Sequence, residues 1–444
     1  MQKFKTVDPF KIVNILLYLV VGLVPLILLP LHANGKLNTS ITKLIALSII
    51  AVAYLILWLI RRNEVDLIDH SLESKFLLGY VALMLISIPF SLDPMTSIFG
   101  SSYRYDGMLS FLLYFSAFLI AKNAKNIGGT VFKVIAFTST LVATLGILQF
   151  YDLDPIPSKW YAIPWENTAF STMGNPNFLG SYLVLSIPVA IYLFFYLEKK
   201  YGLVVYSLLL LCVLCSQTRG AWIGTFVSLI AFLILHGVSH GYRKRDLVKV
   251  FIIFVTSIVV VVFFTISSGD VFLARFFSIF IDFSKWINKS EETYLVGSFR
   301  IFLWGKVIEL IKMRPIFGFG IDSLYIAMNN NFRDEIIQVY GVYKNWDKAH
   351  NEYLNIAVST GIPSLIAYLG FLGLVIKKSL KRLKAHPGHV ALLSAVIGYL
   401  TQAMFNIQVV MVFYVFMAYL GILSSKNGLI NESTEYHYKN VELS

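Results

Sequence analysis

Residues 41–60, ITKLIALSIIAVAYLILWLI, decide the fold class. Wound as a helix, a run of this length and apolarity matches the hydrocarbon thickness of a bilayer. Comparable runs recur from end to end, at 10–31, 76–90, 108–121, 131–150, 178–197, 203–216, 221–235, 250–266, 353–376, 390–405 and 410–423. Over the whole chain 57% of residues are hydrophobic and 14% charged, a composition that excludes an ordinary soluble domain. The expectation is an all-α, polytopic transmembrane protein of about twelve spans, the shortest runs being candidates for re-entrant or interfacial segments.

Lysines and arginines alternate along the loops. Lys3, Lys5 and Lys11 sit at the start, then Arg61 and Arg62, Lys122 and Lys125, Lys199 and Lys200, Arg243 to Arg245, and Lys377 to Lys384 mark every second connection. Short basic loops stay cytoplasmic during insertion, so both termini are expected inside, and the net charge of +12 reports topology and anionic lipid, not nucleic acid. The first run is long enough to span and lacks a small-residue cleavage site, which favours a retained helix over a signal peptide. Cys212 and Cys215 have C-x-x-C spacing, but they lie inside an apolar run and are expected to pack. The chain reads as a single integral-membrane domain, 1–444, with no soluble domain appended. A large extracytoplasmic loop at 267–351 is too long to be a mere connector, and 425–444 forms a short cytoplasmic tail.

Within that loop, 297–313 predicts a helix starting at Ser298 and stopping before Pro315, with Gly318 and Gly320 as turn residues. At 100° per residue Arg300 shares a face with Leu303, Trp304, Val307 and Ile311, away from Lys306, Glu309 and Lys312. A charge on the apolar side needs an anionic partner, either a protein carboxylate or a ligand. Arg219 lies in the polar break Ser216-Gln217-Thr218-Arg219-Gly220, and His350 precedes Asn351, a potential helix cap. Each of these residues alone also has a structural reading: an interfacial arginine snorkels, and a lone histidine packs.

Taken in order, the set Thr218-Arg219-Gly220-Ala221-Trp222, Ser298-Phe299-Arg300 through Trp304 with Pro315 and Gly318-Phe319-Gly320, and His350-Asn351-Glu352-Tyr353-Leu354 resembles the O-antigen ligase and polymerase superfamily. Gly174-Asn175-Pro176-Asn177 and Arg104-Tyr105-Asp106-Gly107 are similar to it as well, so the resemblance covers roughly 100–361. It implies an integral-membrane glycosyltransferase that moves a glycan from a polyprenyl-diphosphate carrier to an acceptor hydroxyl on the outer side of the bacterial cytoplasmic membrane. Arginine offers a diphosphate a planar, always-cationic fork. Arg219 and Arg300 are therefore expected to bind the diphosphate, with Arg104 as an auxiliary contact. His350 would act as general base. Asn175, Asn177 and Asn351 are substrate-binding candidates, Asn175 and Asn177 also fitting turn and cap chemistry. In-line attack predicts inversion, and the arginines take the place of a divalent cation, so neither metal nor cofactor is expected. The partners implied are the lipid-linked glycan donor, a glycan, lipid or other envelope acceptor, and membrane lipids. Ligation and polymerisation share this donor chemistry and both stay open.

Other signals are weaker. Asp152-Leu153-Asp154 has D-x-D form, but it is expected in an outer loop, where nucleotide sugars are absent. Glu291-Glu292 reads as a loop charge pair. Trp160, Tyr161 and Trp165 follow two prolines and suit interfacial anchoring or stacking on sugar rings. Zinc-protease, Walker and dinucleotide fingerprints do not occur. The rival class is a lipid-linked glycan flippase, disfavoured because polar signals gather on one face and few charges fall near span midpoints.

Overall fold

A computed structural model describes residues 8–31, 35–65, 69–102, 104–163, 165–288 and 296–429. Lys3, Lys5, the Glu291-Glu292 pair and most of the 425–444 tail lie outside them. The described residues form an all-α protein whose backbone polar groups are satisfied within helices, as a bilayer requires.

In chain order the helices are α1 (Pro9–Tyr18), α2 (Thr39–Ile60), α3 (Leu72–Ser87), α4 (Pro94–Phe99), α5 (Met108–Asn123), α6 (Gly128–Phe150), α7 (Pro176–Phe195), α8 (Tyr201–Cys215), α9 (Arg219–His240), α10 (Lys244–Ser268), α11 (Asp270–Ile287), α12 (Val296–Met313), α13 (Leu324–Tyr340), α14 (Glu352–Thr360), α15 (Ile362–Leu380), α16 (Gly388–Ala403) and α17 (Phe413–Ser424). Eight segments are long and apolar enough to cross a membrane, and α5, α8, α16 and α17 are shorter apolar helices. Together these are the twelve stretches read from the sequence. Local chemistry sets their starts. Asn38 accepts from the amide of Ile41 at 2.9 Å to begin α2, Asn175 accepts from the amide of Asn177 at 2.8 Å to begin α7, and prolines occupy the first turns of α1, α4 and α7.

The bundle is built around α7, which is buried on all sides between α8, α9 and α16. Helix α9 packs along α16, α5 along α17, and α3 along α15. At the periphery α10 turns Phe251, Phe254, Val259, Phe263 and Ile266 outward. Cys212 and Cys215 are buried and unbridged, as packing residues.

Two features differ from the sequence reading. The run 353–376 is two helices, because Gly361 takes φ +91° and Pro363 follows. The break is used: Pro315 and Phe319 meet it edge to edge, Ile362 N donating to Pro315 O at 2.8 Å and Phe319 N to Val358 O at 2.8 Å. A Cβ on Gly361 would collide with the carbonyl of Ile316. Second, the described residues of the segment 267–351 form three helices of 17 or 18 residues, α11 to α13, where the sequence reading placed one, at 297–313. Helix α11 was unforeseen. It presents Leu273, Phe276, Phe277, Phe280 and Ile281 outward and Arg275, Ser278 and Asp282 inward.

Candidate active site

The N-terminal ends of α7 and α9, the C-terminal ends of α8 and α16, and the inner faces of α11 and α12 enclose a cavity of about 750 Å³. It lies at the end of the bundle opposite the basic connections Lys199–Lys200 and Arg243–Arg245, since α7 and α9 each run from the cavity to one of them. Three arginines line it: Arg219, Arg275 and Arg300.

Arg219 opens α9 immediately after the polar break. Its Nη1 donates to Asp282 Oδ2 at 2.6 Å and to Ser278 Oγ at 3.1 Å, both on α11. Asp282 also accepts from the amide of Gly297 at 3.2 Å, so one carboxylate ties α9, α11 and the start of α12 together. Arg275 Nη1 donates to the Gln217 carbonyl at 3.0 Å. Arg300 is different. It is half-buried, and among the described residues no carboxylate or carbonyl bonds it. Burial, and then the like charge of Arg219, pull its guanidinium down to about 10, so it stays cationic at neutral pH. Two cations held close, one without a counter-charge among the described residues, favour an anion between them.

The helix carrying Arg300 folds as its periodicity requires: Leu303, Val307 and Leu310 are buried, while Lys306 reaches Glu309 at 3.0 Å and Glu335 at 2.6 Å. One turn beyond Arg300, Trp304 Nε1 donates to the carbonyl of Ala349 at 3.0 Å, bringing the His350 segment against α12. That segment is held residue by residue. Asp347 Oδ2 meets Arg104 Nε at 2.6 Å, Lys348 Nζ meets Asp322 Oδ1 at 2.9 Å, Ala349 N donates to Asn355 Oδ1 at 3.2 Å, and Asn351 Oδ1 accepts from Leu354 N at 3.0 Å as the cap of α14. Burial raises the Asp347 carboxyl, but Arg104, Lys348 and His350 outweigh it and hold it below the ordinary range. His350 itself takes a left-handed backbone, φ +48°, a conformation uncommon outside glycine. Burial, then Arg300, hold its imidazole at about 4 against the opposing pull of Asp347. It is neutral near pH 7, with a lone pair free to accept a proton.

Arg219, Arg300 and His350, separated by up to 131 positions in sequence, thus fall within electrostatic reach in turn: Arg219 acts on Arg300, and Arg300 on His350. Asn177 lines the cavity, and Asn406 Nδ2 donates to its carbonyl at 3.2 Å. His350 reaches Arg300 electrostatically but does not line the cavity, and neither do Arg104, Asn175 and Asn351. Arg104 and Asn175 line a separate cavity of about 100 Å³, where Arg104 also lies 5.5 Å from the Phe178 ring. Asn175 and Asn351 are helix caps. Trp165 lines the main cavity, whereas Tyr161 is buried against Phe170 and bonded to Asp154 and Gln149, so it is a packing residue and not an interfacial anchor. That bond also engages one carboxylate of the D-x-D stretch.

Sequence reasoning missed Arg275, Asp282 and Gln402 as lining residues, and the clamp residues Asp347 and Lys348. Amphipathic spacing of Arg275, Ser278 and Asp282 on α11 was the available signal for the first two. Glu352 was also missed; Tyr368, Tyr399 and Gln408 donate to its carboxylate and seat the start of α14 against α15 and α16.

Compared with known families, residues 202–369 match the family described as O-antigen ligase. The match contains Arg219, Arg300 and His350. No curated protein matches the chain.

Proposed function

With a membrane protein of the O-antigen ligase and polymerase superfamily as premise, we propose that this chain is an inverting glycosyltransferase that takes its glycan from a polyprenyl-diphosphate carrier. The observation that carries the reading is Arg300, half-buried, without a protein counter-anion among the described residues, beside Arg219 and within reach of a neutral His350. A diphosphate supplies the missing negative charge, and a forked guanidinium suits it.

In the proposed reaction an acceptor hydroxyl attacks the anomeric carbon from the side opposite the diphosphate. Its proton passes to the His350 imidazole. The bond from the anomeric carbon to the phosphate oxygen breaks, and its electron pair stays on the diphosphate, where Arg300 and Arg219 meet the developing charge. The imidazolium formed is balanced by Asp347. Asp282 fixes the Arg219 fork and lowers the mutual repulsion of the arginines. Arg104 serves in this reading to hold Asp347, and the basic connections at the far end of the bundle favour a cavity on the extracytoplasmic side of the bacterial cytoplasmic membrane, with both termini inside.

The test is transfer by the purified full-length protein in nanodiscs, with EDTA present, from polyprenyl-diphosphate glycan to candidate glycan and lipid acceptors. His350→Ala is expected to abolish product while donor binding persists, and Arg300→Lys to weaken both donor binding and transfer, because a point charge does not reproduce a fork. Substantial turnover by His350→Ala removes the general base. Product length separates single-step ligation from polymerisation.

A further inference from the structure

Besides the arginines, the cavity is lined by the amides of Asn177, Gln217, Gln402 and Asn406. Gln402, on the last turn of α16, lines the cavity and is 1% exposed, and neither its Nε2 nor its Oε1 has a hydrogen-bond partner. Thr168, which also lines the cavity, has a buried hydroxyl that is likewise unpartnered among the described residues. Buried amides and hydroxyls are almost always satisfied, and each exception calls for an explanation. The surroundings of Gln402 offer none from the protein. Glycines flank it: a Cβ on Gly180 would lie 3.6 Å from its Nε2, one on Gly220 3.7 Å from its Cγ, and one on Gly224 3.1 Å from its Cβ. A larger side chain at these positions would crowd the Gln402 side chain, so the three glycines leave it room between α7, α9 and α16.

Its neighbours are already engaged. Asn406 Nδ2 donates to Ser181 Oγ at 2.7 Å and to the Asn177 carbonyl at 3.2 Å. Phe405 and Trp165 complete that side of the cavity with ring surface. An amide that both donates and accepts, a hydroxyl and two aromatic rings are the chemistry of a pyranose site, whose hydroxyl or acetamido groups need both kinds of partner. At about 750 Å³ the cavity is in the range of small-ligand sites, roughly 300–1,000 Å³, and exceeds what a diphosphate alone would fill.

We infer that Gln402, assisted by Thr168, binds the sugar attached directly to the carrier diphosphate and selects donors by the hydroxyl or acetamido group of that sugar. This rests on the glycosyltransferase reading above, and it adds a specificity residue that lies outside 202–369. A site built to hydrogen-bond such a group discriminates strongly against ligands that lack it, because its own polar atoms are then left unpaired.

The experiment measures binding of two probes to the full-length protein in nanodiscs: bare polyprenyl diphosphate, and the same carrier bearing one N-acetylhexosamine. Wild type is expected to prefer the sugar-bearing carrier by about tenfold or more. Gln402→Met, close in shape and unable to donate, should collapse that ratio, and Thr168→Val should reduce it by a smaller factor. Arg300→Lys, as the contrasting variant, should weaken both probes and keep the ratio. If Gln402→Met fails to fold, Thr168→Val carries the test. A ratio retained in both variants, or a wild type that binds the two probes equally, overturns the sugar site and leaves the diphosphate reading standing. A wild type that binds neither probe overturns both.

Discussion

At the scale of single residues, the proposed chemistry depends on one charge left unbalanced and one base kept neutral. Leaving a buried polar group without a partner costs about 1–3 kcal/mol, and at this site the Gln402 amide is in that position among the described residues. The histidine has a testable signature. Its imidazole is depressed to about 4 by burial and by Arg300. It therefore stays in the base form as pH falls through 6.5, the usual histidine value, and loses that form only on approaching about 4. The acid limb of kcat/KM for transfer should lie well below 6.5, and an Arg300→Ala variant, freed of the neighbouring charge, should move the limb upward. A limb near 6.5 in the wild type would show that the titrating base is not this His350. Arg219, Arg300 and His350 were legible in the sequence as residue types in order. That Arg219 is the one paired with a carboxylate, and Arg300 the one without, was not, because Asp282 lies 63 positions from Arg219 on a helix whose packing no local pattern reveals.

Among the elements, α12 and the broken α14–α15 pair set the relation of Arg300 to His350. The strand-like contact of 315–320 with 358–362 fixes how the two segments meet, and it depends on glycine where the backbone is left-handed. Gly361→Ala should be strained both by its φ of +91° and by the Ile316 carbonyl. A non-glycine residue in this extended positive-φ conformation, φ +91° and ψ +165°, costs about 1–3 kcal/mol, so thermal unfolding in detergent is expected to shift down, and transfer should fall further than stability as His350 moves relative to Arg300. An unchanged melting temperature with full activity would show that this junction does not position the site. The sequence predicted α12, its apolar face and the turn glycines. It concealed the break at 361 within a continuous apolar run, since hydropathy records apolarity without recording direction.

For the whole molecule, the arrangement predicts a single functional end. The connection between α6 and α7 carries Lys159 at the cavity end, and Lys200 lies at the opposite end; both are exposed. In intact cells, Lys159→Cys should react with a membrane-impermeant maleimide and Lys200→Cys should react only after permeabilisation. The native Cys212 and Cys215 are buried and contribute little background. The reverse pattern would turn the cavity to the cytoplasm and remove the proposed access to an extracytoplasmic acceptor.

The sequence by itself determined the class, the run of apolar helices and the alternation of basic loops, because spanning a bilayer imposes length and apolarity on each segment separately. It also named three of the residues now placed in line, through motifs whose order survives without coordinates. Only the tertiary structure decided which charges neutralise one another, that α11 closes the cavity, that Arg104 braces Asp347, and that Gln402 lines the cavity with its amide unpaired among the described residues. The reason is physical: pairing and desolvation depend on distances between helices remote in sequence, and in an apolar chain many packings satisfy the same hydropathy pattern while one brings these polar groups together.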